Sequence, residues 1–200
     1  MIHWFGDILP SKVNAVAVSG GVDSMVLVDF LMNAGHKPDL LFYHHNTKTS
    51  DEALDFLLHF SEEKKLNLIT GRLIEEMPKG ESLENWWREK RYDFFDKYNG
   101  TIALAHHLND AVETWIFNSI HGNPRTIPYQ RGRYIIRPLL TTTKKEIVNW
   151  SKAKNVKFVE DKSNMDQKFA RNRIRHSIIP EVLKVNPGIE KVVKKMIISY

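Results

Sequence analysis

The stretch Ser19-Gly20-Gly21-Val22-Asp23-Ser24 decides how this chain is read. An apolar run, Val13-Asn14-Ala15-Val16-Ala17-Val18, precedes it with the character of a buried strand. An amphipathic run from Met25 to Met32 follows and reads as a helix. A strand, a diglycine turn and a helix start together make an anion cradle. Glycine accepts positive φ and close backbone approach, and the first helical N–H groups point at the anion. Ser19 and Ser24 add hydroxyl donors, while Asp23 suits either a metal or a helix cap. The Gly-Lys-Ser/Thr ending of a Walker A loop is missing. A plain strand–turn–helix with a capping Asp is the structural alternative.

Outward from this loop, strands and helices alternate. Strands are expected at Val13–Val18, Asp39–Tyr43, Asn67–Arg72 and Thr101–Ala105, and helices at Asp23–Asn33, Ser50–Lys65, Ser82–Tyr98 and Asn109–Ile120. Ala53, Phe56, Leu57 and Phe60 repeat at i, i+3, i+4 and i+7, a core-facing helical stripe. This pattern predicts an α/β fold: a doubly wound, mostly parallel five-stranded sheet with helices on both faces. Ligands of such sheets sit at the carboxyl ends of the strands. The diglycine loop and the pair His106-His107 both follow strand ends, so they can share one crevice. The Gly-, Pro- and Arg-rich stretch from Gly122 to Arg133 reads as a functional loop or small hairpin. Beyond it, Thr142 or Thr143 can cap a helix reaching Lys154, with Glu146 near its third position. A short strand is expected at Val156–Val159, then a polar loop over Glu160–Asp166. A helix over Gln167–Lys184 with a break at Pro180, and a last one over Gly188–Ile198, complete a small basic helical extension. Residues 1–140 are read as a nucleotide-binding domain and residues 141–200 as that extension.

Composition narrows the function. Two hundred residues, 42% apolar and 26% charged, suit one substantial soluble domain with a small appendage. No apolar run approaches the roughly 18–20 residues that span a bilayer. The N-terminus lacks the pattern of a signal peptide, so a cytoplasmic location is expected. Cysteine is absent, which removes disulfides, thiolate-held zinc or iron–sulfur centres and cysteine nucleophiles. Charge is divided unevenly. Met1–Pro124 holds 11 Lys and Arg against 18 Asp and Glu, net −7, whereas Arg125–Tyr200 holds 18 against 6, net +12. A basic half of this kind points to a polyanionic macromolecular partner, with a merely solvated basic face as the alternative.

A second constellation follows the fourth strand: His106-His107-Leu108-Asn109-Asp110-Ala111-Val112-Glu113-Thr114. On a helix, Asn109 or Asp110 lies near Glu113, so polar groups converge at the helix start. Histidines beside carboxylates can hold a metal, or form a structural pair with a capping Asp. Farther on come Glu160-Asp161-Lys162-Ser163-Asn164 and Arg171-Asn172-Arg173-Ile174-Arg175-His176. Arg171 and Arg175, four apart, share one helix face and suit phosphate or planar-base contacts, or ion pairs with Glu160 and Asp161.

Together these segments resemble tRNA(Ile)-lysidine synthetase, a family of the ATP pyrophosphatases, which cleave ATP between its α and β phosphates. The likeness covers the Ser-Gly-Gly-Val-Asp-Ser loop, His45-x-x-Lys48, Arg88-x-x-Arg91-Tyr92, His106-His107-x-x-Asp110-x-x-Glu113-Thr114 and Arg137-Pro138-Leu139-Leu140. Glu160-Asp161-x-Ser163-Asn164 and Arg171-Asn172-Arg173-x-Arg175-His176 complete it. Asn109 stands where the family commonly has Asp, Ala111 where it has Gln, and Lys48 where it has Arg. Long members carry C-terminal domains beyond the point matching Tyr200.

The resemblance implies ATP, Mg²⁺, free L-lysine and an isoleucine tRNA with a CAU anticodon as ligands. The wobble cytidine would be adenylated on its C2 oxygen and then joined to lysine. Ser19, Gly20, Gly21, Val22, Asp23 and Ser24 are expected at the phosphates, with Asp23 also at the metal. His106 and Asp110 are expected at the adenylate or its metal, and Asp110 and Glu113 at the lysine. Asp23, His106, Asp110 and Glu113 make up the expected catalytic set. Arg137, Arg171, Arg173 and Arg175 are expected to steady the RNA. Two other readings stand beside this one: an ATP pyrophosphatase amidating a small carboxylate, and a catalytically weak or silent tRNA-binding relative.

Overall fold

The computed structural model describes residues 2–160 and 170–199. β1 (Ala15–Ala17), α1 (Val22–Asn33), β2 (Asp39–His44), α2 (Lys48–Lys64), β3 (Leu68–Arg72) and α3 (Leu83–Phe95) follow one another along the chain. Next come β4 (Ile102–Leu104), α4 (Leu108–Ile120), the hairpin of β5 (Gln130–Arg131) and β6 (Ile135–Ile136), and α5 (Lys144–Ala153). α6 (Ala170–Arg173), a π-helical turn (Ile174–Ile178), α7 (Ile179–Val185) and α8 (Ile189–Ile198) close the chain.

The strands form one sheet in the order β3-β2-β1-β4-β6-β5. All neighbours run parallel except β5, which pairs antiparallel with β6. Strand alternation sorts the core. Val16, Leu40, Phe42, Ala103 and Ile136 face the layer of α1, α2 and α5. Ala15, Leu41, Ile102, Leu104 and Ile135 face Tyr92 and Phe95 of α3. Each fully buried Leu or Ile in these layers contributes about 1.5–3 kcal/mol of apolar burial. A third cluster packs Leu108, Ala111, Val112 and Ile116 of α4 against Ile174 and Ile189, Val193 and Ile197 of α8. The basic C-terminal helices therefore lie along α4.

The doubly wound, mostly parallel sheet is as expected, with six strands in place of five. The fifth parallel strand is Ile135–Ile136, two consecutive β-branched residues buried on opposite faces. Val156–Val159 forms no strand. Its Val159 N–H donates to the Gly20 carbonyl at 2.9 Å instead of joining a ladder, and Phe158 is 38% exposed. Pro180 does not break the helical path. It sits in the first turn of α7, and the π turn just before it widens the helix so that Ile179 N–H reaches the Ile174 carbonyl. The polar loop 161–166 and the start of the helix expected from Gln167 lie outside the described residues.

From β1 the chain steps through β2 to β3 on one side, and β4, β6 and β5 occupy the other. The switch point between β1 and β4 opens a crevice at their carboxyl ends. The diglycine loop leaves β1 there, and His106-His107 leave β4.

Candidate active site

Gly20 has φ +78°, which favours glycine, and a Cβ placed on it would crowd Ala53 Cβ at 3.3 Å. Gly21 is the N-cap of α1, and among the described residues no side chain bonds the first-turn amides. Such amides are the ones that bind anions in helix-start sites. Ser24 Oγ donates to the Gly21 carbonyl at 3.0 Å and accepts the Ser19 N–H at 3.2 Å. Ser19 Oγ accepts the Gly21 N–H at 3.3 Å and lies 3.4 Å from Ser24 Oγ. These contacts preform the loop. Val22 opens α1. Asp23 is no cap: its Oδ1 takes Lys144 Nζ at 2.6 Å and faces His107 Nε2 at 3.6 Å.

Across the crevice, Asp110 does cap its helix, accepting the His107 N–H on Oδ2 at 2.8 Å. The His107 ring, 4% exposed, stands between two carboxylates, with Nδ1 3.6 Å from Asp110 and buried without a hydrogen bond. Glu113, 3% exposed, is clasped by Arg175 in a bidentate pair, Nε–Oε1 2.6 Å and Nη2–Oε2 2.9 Å. Arg175 Nη2 also lies 3.8 Å from Asp110 Oδ1. Burial pushes the Glu113 carboxyl up; the Arg175 guanidinium opposes this without reversing it. Burial works against charge on Arg175 too, but Glu113, Asp110 and Asp23 outweigh it and hold the guanidinium up. Arg171 reaches Thr114 Oγ1 at 3.0 Å and Glu84 Oε1 at 2.8 Å. Arg171 and Arg175 do share a face, and among the described residues their carboxylate partners belong to α3 and α4.

His106 belongs to a different neighbourhood. Burial and then the charges of Arg137, Arg91 and Arg88 push its ring well below the ordinary histidine range, and its Nδ1 is buried without a partner. His45 is driven down to about 4 by burial, Arg91 and His44, and rests against Trp87 with ring centroids 5.1 Å apart. Arg137 is 1% exposed, donating to the Pro128 carbonyl at 2.8 Å and Tyr92 Oη at 3.1 Å, with Nε buried and unpaired. Tyr92 lies under the guanidinium groups of Arg131 at 3.7 Å and Arg88 at 5.0 Å. Arg173 is exposed.

The crevice thus brings together the loop, Asp23, His107, Asp110, Glu113 and Arg175. His106 sits with an arginine cluster, Arg137 is enclosed in the fold, and Arg173 points to solvent. Lys144 escaped the sequence reading, and Asn109 was read there only beside Glu113, without its partners. Lys144 lies 121 residues from Asp23, and no spacing rule links such positions. Asn109 accepts the Lys144 N–H at 2.8 Å and donates to Glu190 Oε1 at 2.8 Å, tying α4 to α5 and α8. The adjacency of Asn109 to a capping Asp was the available signal.

A crevice at the switch point of a mostly parallel sheet, entered by a diglycine helix start, defines a doubly wound α/β protein. The chain belongs to the PP-loop domain family, whose model matches residues 4–182. It is similar to the tRNA(Ile)-lysidine synthase of Lactiplantibacillus plantarum, 34% identical over 200 residues, covering 91% of this chain and 44% of that protein. The tRNA(Ile)-lysidine synthase of Persephonella marina is 37% identical over 191 residues, covering 88% and 42%. The chain spans under half the length of these curated relatives. The solved U34-tRNA thiolase NcsA from Methanococcus maripaludis, with its [4Fe-4S] cluster, shares the fold at TM-score 0.67 and 18% identity, covering 92% of this chain and 70% of that one. NMN synthetase from Francisella tularensis matches at TM-score 0.50 and 15% identity, covering 72% and 62%.

Proposed function

We propose that this chain carries the chemistry of a tRNA(Ile)-lysidine synthetase: ATP-driven adenylation of the C2 oxygen of a wobble cytidine, then its replacement by lysine. The observation that carries the reading is the convergence, in one crevice, of an uncapped diglycine helix start with Asp23, His107, Asp110 and the Glu113–Arg175 pair. In this reading residues 1–140 bind the nucleotide, residues 141–200 complete the tRNA side, and the enzyme works in the cytoplasm. No helix among the described residues is long and apolar enough to cross a membrane.

The loop amides and the Ser19 and Ser24 hydroxyls orient the triphosphate, so that the α-phosphorus faces the entering oxygen. Asp23 would hold Mg²⁺, with phosphate oxygens and water completing a shell that one carboxylate cannot fill. A bound Mg²⁺ supplies charge neutralisation on the triphosphate. Lys144, already on Asp23, adds a second cation. The cytosine oxygen attacks the α-phosphorus and pyrophosphate leaves. Asp110 receives the lysine ammonium. Glu113, whose proton affinity burial raises, takes the proton as the amine bonds to C2 and the C2–O bond to AMP breaks. Arg171 and Arg175 hold the carboxylate wall, and exposed Arg173 meets RNA phosphate.

The test is incubation with ATP, Mg²⁺, labelled lysine and CAU isoleucine tRNA, with a methionine tRNA of the same anticodon as control. Label in the isoleucine tRNA is the expected result. Pyrophosphate release driven equally by ammonia and a small acid, with RNA inert, would overturn the proposal in favour of an amidating relative.

A further inference from the structure

Between Glu113 and Glu146 there is no Asp or Glu, while Arg125, Arg131, Arg133, Arg137, Lys144 and Lys145 fall in that interval. Its centre is the β5–β6 hairpin. Gly132, with φ +58°, makes the turn, and Gln130 Nε2 stiffens it by donating to the Gly132 and Arg133 carbonyls at 3.1 and 3.4 Å. The Ile102 N–H donates to the Tyr134 carbonyl at 2.7 Å, anchoring the hairpin to the sheet. Arg125, Arg131 and Arg133 are exposed, and none has a carboxylate partner among the described residues. Tyr134 is 46% exposed.

Beside the turn lies a hollow of about 390 Å³, lined by Phe95, Asp96, Tyr98, Arg131, Arg133 and Tyr134. Two accessible aromatic rings, Tyr98 and Tyr134, over the buried ring of Phe95, with two guanidinium groups against one carboxylate, suit a planar base flanked by phosphates. The hollow also connects to His106, which leaves the carboxyl end of β4. Arg131 stacks on Tyr92, Tyr92 Oη accepts from Arg137, and Arg137 acts on His106. The turn itself lies at the amino end of β6, one strand length from the crevice.

We propose that the β5–β6 hairpin is an RNA docking surface, with Arg131 and Arg133 on backbone phosphates and Tyr134 stacking an unpaired base at the adjacent hollow. This rests on the tRNA reading above and adds to it where the strand runs: from the crevice down the outer edge of the sheet. A peptide partner would need acidic side chains in place of phosphates, and its binding would lack the aromatic dependence that Tyr134 confers.

The test compares Arg131→Glu, Arg133→Glu, the milder Arg133→Gln and Tyr134→Ala with the unaltered chain in binding the CAU isoleucine tRNA across 50–200 mM salt. Lys37→Glu and Lys65→Glu, on the β2–β3 side, are charge-matched controls. Each arginine reversal is expected to weaken RNA binding about tenfold or more and to lower the salt slope by about 1. Tyr134→Ala should weaken it roughly fivefold or more. ATP binding, measured in parallel, should be unchanged and reports that the variants are folded. Hairpin variants that bind RNA as tightly as the unaltered chain, or controls that lose as much, overturn this docking surface alone. An unaltered chain indifferent to RNA removes the tRNA reading and the surface with it.

Discussion

Asp23 is the residue on which the crevice turns, because Lys144 and His107 both reach its Oδ1. Asp23→Ala should abolish pyrophosphate release yet leave tRNA affinity within about threefold, since phosphate contacts from the basic half dominate binding. A parallel loss of RNA binding in a filter assay would contradict that division. His45 gives a pH signature. Its folded-state value, about 4, lies below that of the unfolded chain, so the native state binds fewer protons between about pH 6.5 and 4. Its contribution to stability is present above that window and is lost as pH falls through it. The melting temperature of the wild type should therefore drop more steeply from pH 6.5 to 4 than that of His45→Gln. Superimposable slopes would show that His45 does not titrate as its burial requires. Breaking the Glu113–Arg175 pair by Glu113→Ala should cost about 1–3 kcal/mol in urea unfolding, less than a fully enclosed pair because Arg175 keeps some solvent.

Helix starts were the most legible elements. The Thr143–Glu146 box, read from a spacing of three, is present with Glu146 Oε2 2.8 Å from the Thr143 N–H and Thr143 Oγ1 3.2 Å from the Glu146 N–H. Thr143→Ala should lower stability by about 1 kcal/mol. The diglycine start of α1 was equally plain, because two glycines between a buried strand and an amphipathic run mark a tight turn into a helix. Two-residue β6 was not legible, since Ile135-Ile136 is too short to show any period. Nor was the π turn, which exists to carry the chain into Pro180. Asn109 shows a third kind of gap: its partners, Lys144 and Glu190, come from two other helices. Asn109→Asp would set a carboxylate against Glu190 and lose the donor, at a cost of about 1–2 kcal/mol. Adding Glu190→Gln should restore stability; no recovery in the double variant would disprove that pairing.

Across the whole molecule, β-α alternation foretold the parallel sheet, because a parallel strand needs a crossover and the crossovers have helical period. That sheet alone put the loop after β1 beside the histidines after β4. What sequence could not assign was which way each histidine turns. His107 faces carboxylates and His106 faces arginines, a choice made by α3 and the hairpin packing from distant parts of the chain. The same packing encloses Arg137, which its charge alone would have placed outside. The charge division between halves acquires a structural meaning, since the basic helices lie along α4 and carboxylates of α3 and α4 pair with Arg171 and Arg175.

The central claim is that an RNA oxygen captures the α-phosphate of ATP in this crevice. It is tested by supplying ATP labelled at the α-phosphorus with CAU isoleucine tRNA and no lysine. The account predicts pyrophosphate release matched by label bound to the RNA, discharged as AMP when lysine is added. Release of ADP and phosphate, or pyrophosphate formed at the same rate without RNA, would contradict it.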